Sequence, residues 1–235
     1  MTVSPLAEFA AIRSWIFDLD NTLYPPTTAL FSQIDAKMSG FISEWLDVTP
    51  ARAKELQKHY YHTYGTTLRG LMTEHGMDPH RFLDCVHDID HSVIAPDALL
   101  AEALAALPGR KFIFTNGSRR HAENVSDRLG ISHVFEDMFD IVAADFVPKP
   151  DAKPYERFLA VTNVEPDTAV MFEDLARNLA VPHALGMRTV LITGSKDRSA
   201  RADWENAGED AAHVDHRTDD LAAFLSDILM ALEQE

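Results

Sequence analysis

The chain has one cysteine, Cys85, among 235 residues. A lone cysteine cannot close an internal disulfide and cannot build a Cys-rich zinc site. Positive charge is scarce too: 21 Lys and Arg stand against 37 Asp and Glu, a formal net charge of -16. Nonspecific binding to a nucleic acid polymer or an anionic membrane needs a basic surface, so neither is an expected partner. No apolar run approaches the length of a membrane span. Met1 to Phe9 has no basic residue and no long apolar stretch, which argues against a secretory leader and for a cytoplasmic protein. Internal repeats, low-complexity tracts and Gly/Ser-rich linkers are missing. What is left, 46% hydrophobic and 25% charged, is ordinary for a globular chain. Its length suits one core domain plus a smaller one.

One pattern recurs along the chain: an apolar strand-like run that ends in a polar cluster. Trp15-Ile16-Phe17 runs into Asp18-Leu19-Asp20-Asn21-Thr22. Lys111 to Phe114 runs into Thr115-Asn116-Gly117-Ser118, and Phe139 to Val142 leads towards Lys149-Pro150. Ala169 to Phe172 ends in Glu173-Asp174, and Thr189 to Ile192 in Thr193-Gly194-Ser195. Charged side chains are rarely buried unpaired, so these clusters belong where strands emerge. In a parallel sheet all such ends share one edge, the edge at which open α/β sheets bind ligands. Helical patterns lie between the strands: Leu100, Leu104 and Leu107, then Val125 and Leu129 before Gly130, and a last stripe from Leu221 to Leu232. This alternation predicts a doubly wound α/β fold. Asp and Asn also close strands as plain turn formers. Two acidic pairs, a hydroxyl and a lysine on one edge are nonetheless a kit for phosphoryl transfer.

The ordered set Asp18-Leu19-Asp20-Asn21-Thr22, Thr115-Asn116, Lys149-Pro150 and Glu173-Asp174 with Asn178 resembles the four motifs of the haloacid dehalogenase-like superfamily of Mg-dependent phosphatases. The resemblance implies a Rossmann-like core over residues 1–23 and 105–235, and an inserted helical C1-type cap over 24–104. The cap stretch shows no buried strand. Phe31, Ile34, Met38, Ile42 and Trp45 recur at helical spacing, and Thr49-Pro50 and Asp78-Pro79 each read as an N-cap followed by proline.

The same resemblance implies roles. Asp18 is the nucleophile, forming an aspartyl-phosphate. Asp20 is the general acid and base; dehalogenases of the superfamily lack this second aspartate. Asp174, with Asp18, the backbone carbonyl of Asp20 and a lesser contribution from Glu173, holds Mg²⁺. Thr115 and the N–H groups of Asn116 and Gly117 bind phosphoryl oxygens, with Ser118 a plain N-cap. Lys149 neutralises charge, with Lys153, read as the N-cap of a helix opening at Pro154, as its competitor.

Asp20 to Pro25, Tyr64 to Gly70 and His87 to Asp90 resemble the pyrimidine 5′-nucleotidase branch of that superfamily. The resemblance implies a UMP- or CMP-like substrate met by Tyr24, Tyr64, Arg69 and His87. Tyrosines that stack on a base or pack the cap hinge are both open readings. A sugar phosphate or phosphoglycolate is the alternative small phosphate ester, and a noncatalytic sensor the alternative of another class. His87 and His91 allow a metal site but read more simply as a solvated or substrate-facing pair, and His59 and His62 as surface residues. Arg119-Arg120-His121 is too short for a nucleic-acid patch, and Gly194-Ser195-Lys196 lacks the glycine spacing of a P-loop.

Overall fold

The protein is described from a computed structural model covering residues 6–194 and 208–234. Ser195 and Lys196 lie outside them. The strands and helices alternate after a helical insertion: β1 (Ser14–Phe17), α1 (Leu30–Trp45), α2 (Pro50–Tyr64), α3 (Thr67–His75), α4 (Pro79–Val86) and α5 (Ala98–Ala106) come first. They are followed by β2 (Arg110–Phe114), α6 (Arg119–Leu129), β3 (Asp137–Phe139), α7 (Ala152–Thr162), β4 (Ala169–Glu173), α8 (Ala176–Ala184), β5 (Arg188–Ile192), β6 (His216–Thr218) and α9 (Leu221–Leu232).

All pairings are parallel, in the order β3-β2-β1-β4-β5-β6. This is a doubly wound sheet whose direction of winding reverses between β1 and β4, where ligands bind in such folds. Every residue of β1 and β4 is buried, as a strand covered on both faces requires. Register then sets the site. Phe17 lies opposite Ile113 on one side and Phe172 on the other. Asp18, Phe114 and Glu173 therefore stand level at the sheet's edge.

Apolar packing divides into three clusters. Two flank the sheet, one centred on Trp15, Phe17 and Phe172, the other on Phe112, Phe114 and Phe158. The third joins Phe41, Ile42, Tyr60, Leu71, Phe82 and Val86 within α1–α4 and is the core of the cap. Gly70 of α3 is required there, because a Cβ would collide with the Cβ and ring carbons of Tyr60. Ile94, Leu100, Leu104 and Leu107 pack with the sheet, although they lie in or beside the stretch assigned to the cap from sequence. We propose that the cap ends near Val86 and that residues 87–97 form the return to the core.

Several local expectations need correction. Phe31 and Trp45 are 42% and 37% exposed, because the buried face of α1 runs through Leu30, Ile34, Phe41 and Ile42. The third strand ends at Phe139: Asp140 turns the chain by accepting from the N–H groups of Arg119 (2.8 Å) and Ala143 (2.9 Å). Helix α7 is capped by Asp151, which accepts from the Lys153 N–H at 3.0 Å, so Lys153 is not the cap. Thr49 and Asp78 cap α2 and α4 with proline at the first turn, as expected.

Candidate active site

The ends of β1, β2 and β4 bring Asp18, Thr115, Glu173 and Asp174 together, and the loop after β3 delivers Lys149. The Lys149 ammonium is 1% exposed and donates to Asp18 Oδ1 (2.7 Å), Glu173 Oε1 (2.8 Å) and the Phe114 carbonyl (2.7 Å). Those three acceptors satisfy all of its protons. Burial favours the neutral amine, but the two carboxylates outweigh it and raise the pKa, so the ammonium persists. Lys153 is exposed and its side chain is not part of this network. Asn116 fixes the lysine's backbone: its Oδ1 accepts from Lys149 N (2.9 Å) and its Nδ2 donates to Lys149 O (3.3 Å).

Asp18 also accepts at Oδ2 from Thr22 Oγ1 (3.2 Å). Its burial pushes the carboxyl up to about 7 against the pull of Lys149, with the nearby Glu173 charge adding to the rise. Glu173 is braced by Asn178 Nδ2 (2.6 Å) and the Leu175 N–H (2.8 Å), and Tyr155 in turn donates to the Asn178 carbonyl (2.7 Å). Oxygens of Asp18, Glu173 and Asp174 all lie within 4.8 Å of one another, and all three residues are buried. Three buried carboxylates against one lysine leave excess negative charge. Hard oxygen donors of this kind fit a divalent cation such as Mg²⁺.

Asp20 sits on the far side of this cluster under different neighbours. Tyr24 Oη donates to its Oδ1 (2.5 Å), and His121 Nε2 meets the same oxygen at 2.9 Å. Burial works to raise the Asp20 carboxyl, but His121 and the Tyr24 hydroxyl outweigh it and hold the group at about 2. Thr115 Oγ1 accepts from the Gly117 N–H (2.9 Å), so that N–H is spent within the loop. Gly117 serves instead by its lack of a side chain, since a Cβ would lie 3.2 Å from Thr115 Oγ1 and 3.3 Å from the His121 ring. Ser118 caps α6.

The four residues expected to meet a base separate into two pairs. Tyr24 and His87 are buried, 2% and 9% exposed, and engaged near Asp20. Tyr24 therefore presents no ring face to a nucleobase. His87 stacks on His121 with ring centres 4.5 Å apart, and its Nδ1 meets Ser118 Oγ at 2.8 Å. Burial, with His121 beside it, lowers the His87 pKa to about 3, so the ring is neutral; of the two readings open in the sequence, solvated or substrate-facing, burial excludes the solvated one. Tyr64 and Arg69 lie elsewhere, lining a cavity of about 400 Å³ with His62, Pro148, Pro150 and Arg177. Tyr64 Oη donates to Glu74 (2.9 Å), and Arg69 donates to the Phe146 carbonyl (3.2 Å).

His121 is the residue that sequence reasoning missed. Its neighbours Arg119 and Arg120 make the segment look like surface. The available signal was periodicity: His121, Val125 and Leu129 lie at i, i+4 and i+8, all on the buried face of α6.

The comparisons agree with this geometry. The chain is 26% identical over 237 residues to Phosphate metabolism protein 8 of Saccharomyces cerevisiae, covering 93% of this chain and 71% of that one. It is 29% identical over 104 residues to Validoxylamine A 7'-phosphate phosphatase of Streptomyces hygroscopicus subsp. limoneus, covering 43% of this chain and 47% of that one. Among solved structures, a HAD phosphatase from Thermococcus onnurineus matches with a TM-score of 0.61 at 18% identity, over 93% of this chain and 98% of that one. An L-2-haloacid dehalogenase from Xanthobacter autotrophicus matches with a TM-score of 0.58 at 17% identity, over 92% and 97%. At such identities the two structures speak for the fold. The family model for haloacid dehalogenase-like hydrolases matches residues 12–186, and the chain belongs to that family.

Proposed function

We propose that this hydrolase is a Mg²⁺-dependent phosphatase acting on a small phosphate monoester, with pyrimidine nucleoside 5′-monophosphates as the leading substrates. The observation that carries the reading is the pair of aspartates two residues apart: Asp18 fixed by the Lys149 ammonium, and Asp20 held separately by Tyr24 and His121. A dehalogenase has use for the first and none for the second. The Streptomyces relative, named as a phosphatase, supports the same choice.

In this reading an oxygen of Asp18 attacks phosphorus, forming an acyl-phosphate while the ester P–O bond breaks. Asp20 passes its proton to the departing alkoxide. Asp20 is ionised in the free site; an arriving phosphate dianion beside it works to raise its pKa and favours uptake of that proton. Water then attacks the phosphorus of the acyl-phosphate, Asp20 takes the water's proton, and inorganic phosphate leaves with Asp18 restored. Lys149 holds Asp18 in line, and Thr115 with the Asn116 N–H meets the phosphoryl oxygens. Asp18, Asp174, the Asp20 carbonyl and Glu173 would hold Mg²⁺, which when bound neutralises charge between carboxylate and phosphate.

Tyr64 and Arg69 are the proposed leaving-group contacts of the cap; in support, they line a cavity with Pro148 and Pro150, the prolines that flank Lys149. The test is phosphate release from UMP, CMP, dUMP, AMP, GMP, phosphoglycolate and several sugar phosphates, with Mg²⁺ and with EDTA. We expect turnover that EDTA abolishes and Mg²⁺ restores, highest with UMP or CMP. Full activity in excess chelator would remove the metal from the reading. A winner outside the nucleotides would keep the reaction and replace the substrate.

A further inference from the structure

The two donors to Asp20 choose the same oxygen. Tyr24 Oη and His121 Nε2 both meet Oδ1, at 2.5 and 2.9 Å. Neither donor meets Oδ2, which lies 3.8 Å from where a Cβ on Gly117, in the phosphate-side loop, would stand. His121 is itself fully buried and fixed from three directions. Its Nδ1 meets His91 Nε2 at 3.2 Å, its face stacks on His87 with an interplanar angle of 8°, and its backbone N–H donates to Ser118 Oγ at 3.4 Å. An ionised carboxylate only accepts, so Nε2 of His121 carries a proton. On its other side the ring is joined to His91 through the Nδ1···Nε2 contact.

We propose that His121 is a positioning residue: with Tyr24 it occupies Oδ1 of Asp20 and so commits Oδ2 to proton transfer, while His91 and His87, on the return from the cap, hold His121 in the orientation this needs. The proposal rests on the reading of Asp20 as general acid. It assigns a task to three histidines that the mechanism above leaves unused, and it ties the acid's aim to the segment that joins cap and core.

The test compares kcat/KM for UMP, a primary alkyl ester, with kcat/KM for p-nitrophenyl phosphate, whose leaving group departs without a proton. Should another alkyl ester win the substrate panel, it takes the place of UMP. Because kcat/KM ends at the first irreversible step, it reports ester cleavage rather than later hydrolysis of the acyl-phosphate. Asp20→Asn should lower the alkyl-to-aryl ratio by about a hundredfold or more, the usual worth of a general acid. His121→Asn, whose amide is too short to reach Asp20, should lower the ratio about tenfold, a fraction of the acid's full worth. His121→Gln, whose amide nitrogen can stand where Nε2 stands, should recover most of that loss. His91→Ala should fall between the two.

Equal losses on both esters in His121→Asn, with Asp20→Asn still discriminating, would leave the acid in place and overturn the positioning role. Equal losses in Asp20→Asn itself would overturn the acid and the positioning role together. If His121→Asn does not fold, Tyr24→Phe removes the other donor to Oδ1, and an unchanged ratio there overturns the proposal.

Discussion

Asp18 and Asp20 follow one strand and stand two residues apart, yet the surroundings of each are built from different material. Around Asp18 the groups are charged: Glu173 and Asp174 come from the end of β4, and Lys149 from the loop after β3. Around Asp20 they are Tyr24 and a stack of histidines, supplied by the start of the insertion, by α6 and by the return from the cap. The first environment concentrates charge in a buried place, which suits a group that must carry an anion next to another anion. The second fixes direction with a hydroxyl and an imidazole and leaves one oxygen unengaged by them, which suits a group whose proton must go to one place. In the proposed mechanism, acid and nucleophile can alternate along a single strand end because the two side chains face different neighbours.

The strongest way to break the contrast is Asp18→Asn. It keeps the shape but removes the attacking charge, and kcat should fall at least about a thousandfold with both alkyl and aryl esters. Retained activity above a tenth of wild type would mean that Asp18 is not the nucleophile. Next comes Lys149→Ala, which leaves buried carboxylates without their cation. Removing one partner of a buried pair costs about 3–5 kcal/mol, seen as a lowered melting temperature. Added Mg²⁺ should recover more of that loss than it adds to the wild-type protein, since ligand binding stabilises the folded state by mass action. No Mg²⁺ response in thermal melts of either protein would argue against an ion at Asp18. The smallest effect belongs to the other side. Tyr24→Phe removes one hydrogen bond worth about 1 kcal/mol, so kcat/KM should drop several-fold, and more for alkyl than for aryl esters. A loss as large as that of Asp18→Asn would erase the distinction between the two environments.

The Asp18 side was legible in the sequence and the Asp20 side largely was not. Strand ends announce themselves as apolar runs that break into carboxylates, hydroxyls or lysine, and parallel register does the rest. Choosing Lys149 over Lys153 needed the chain's path, because Asp151 rather than Lys153 caps α7. The surroundings of Asp20 depend on helix faces and on a long-range return: His87 and His91 read as a solvated or substrate-facing pair and His121 as part of a short basic stretch, and nothing in the sequence joins the pair to His121. Tyr24 was noticed for its ring, whereas the fold uses its hydroxyl. The strand ending at Phe139 was missed for a related reason, since a carboxylate's backbone partners are set by tertiary contacts, whereas the helical spacing from Phe31 to Trp45 was legible and falls within α1.

The return segment also decides how the protein can be taken apart. Ile94 is packed with the sheet while His87 and His91 meet His121 of α6, so the proposed return segment, residues 87–97, would travel with the core even though it follows the cap in the chain. A graft that replaces the cap between Asn21 and Val86 exchanges a lid and leaves the aim of Asp20 with its histidines. A graft cut at Leu104 carries those histidines away with the lid, so the new protein would inherit a sheet edge with its charges in order and an acid with one side unsupported.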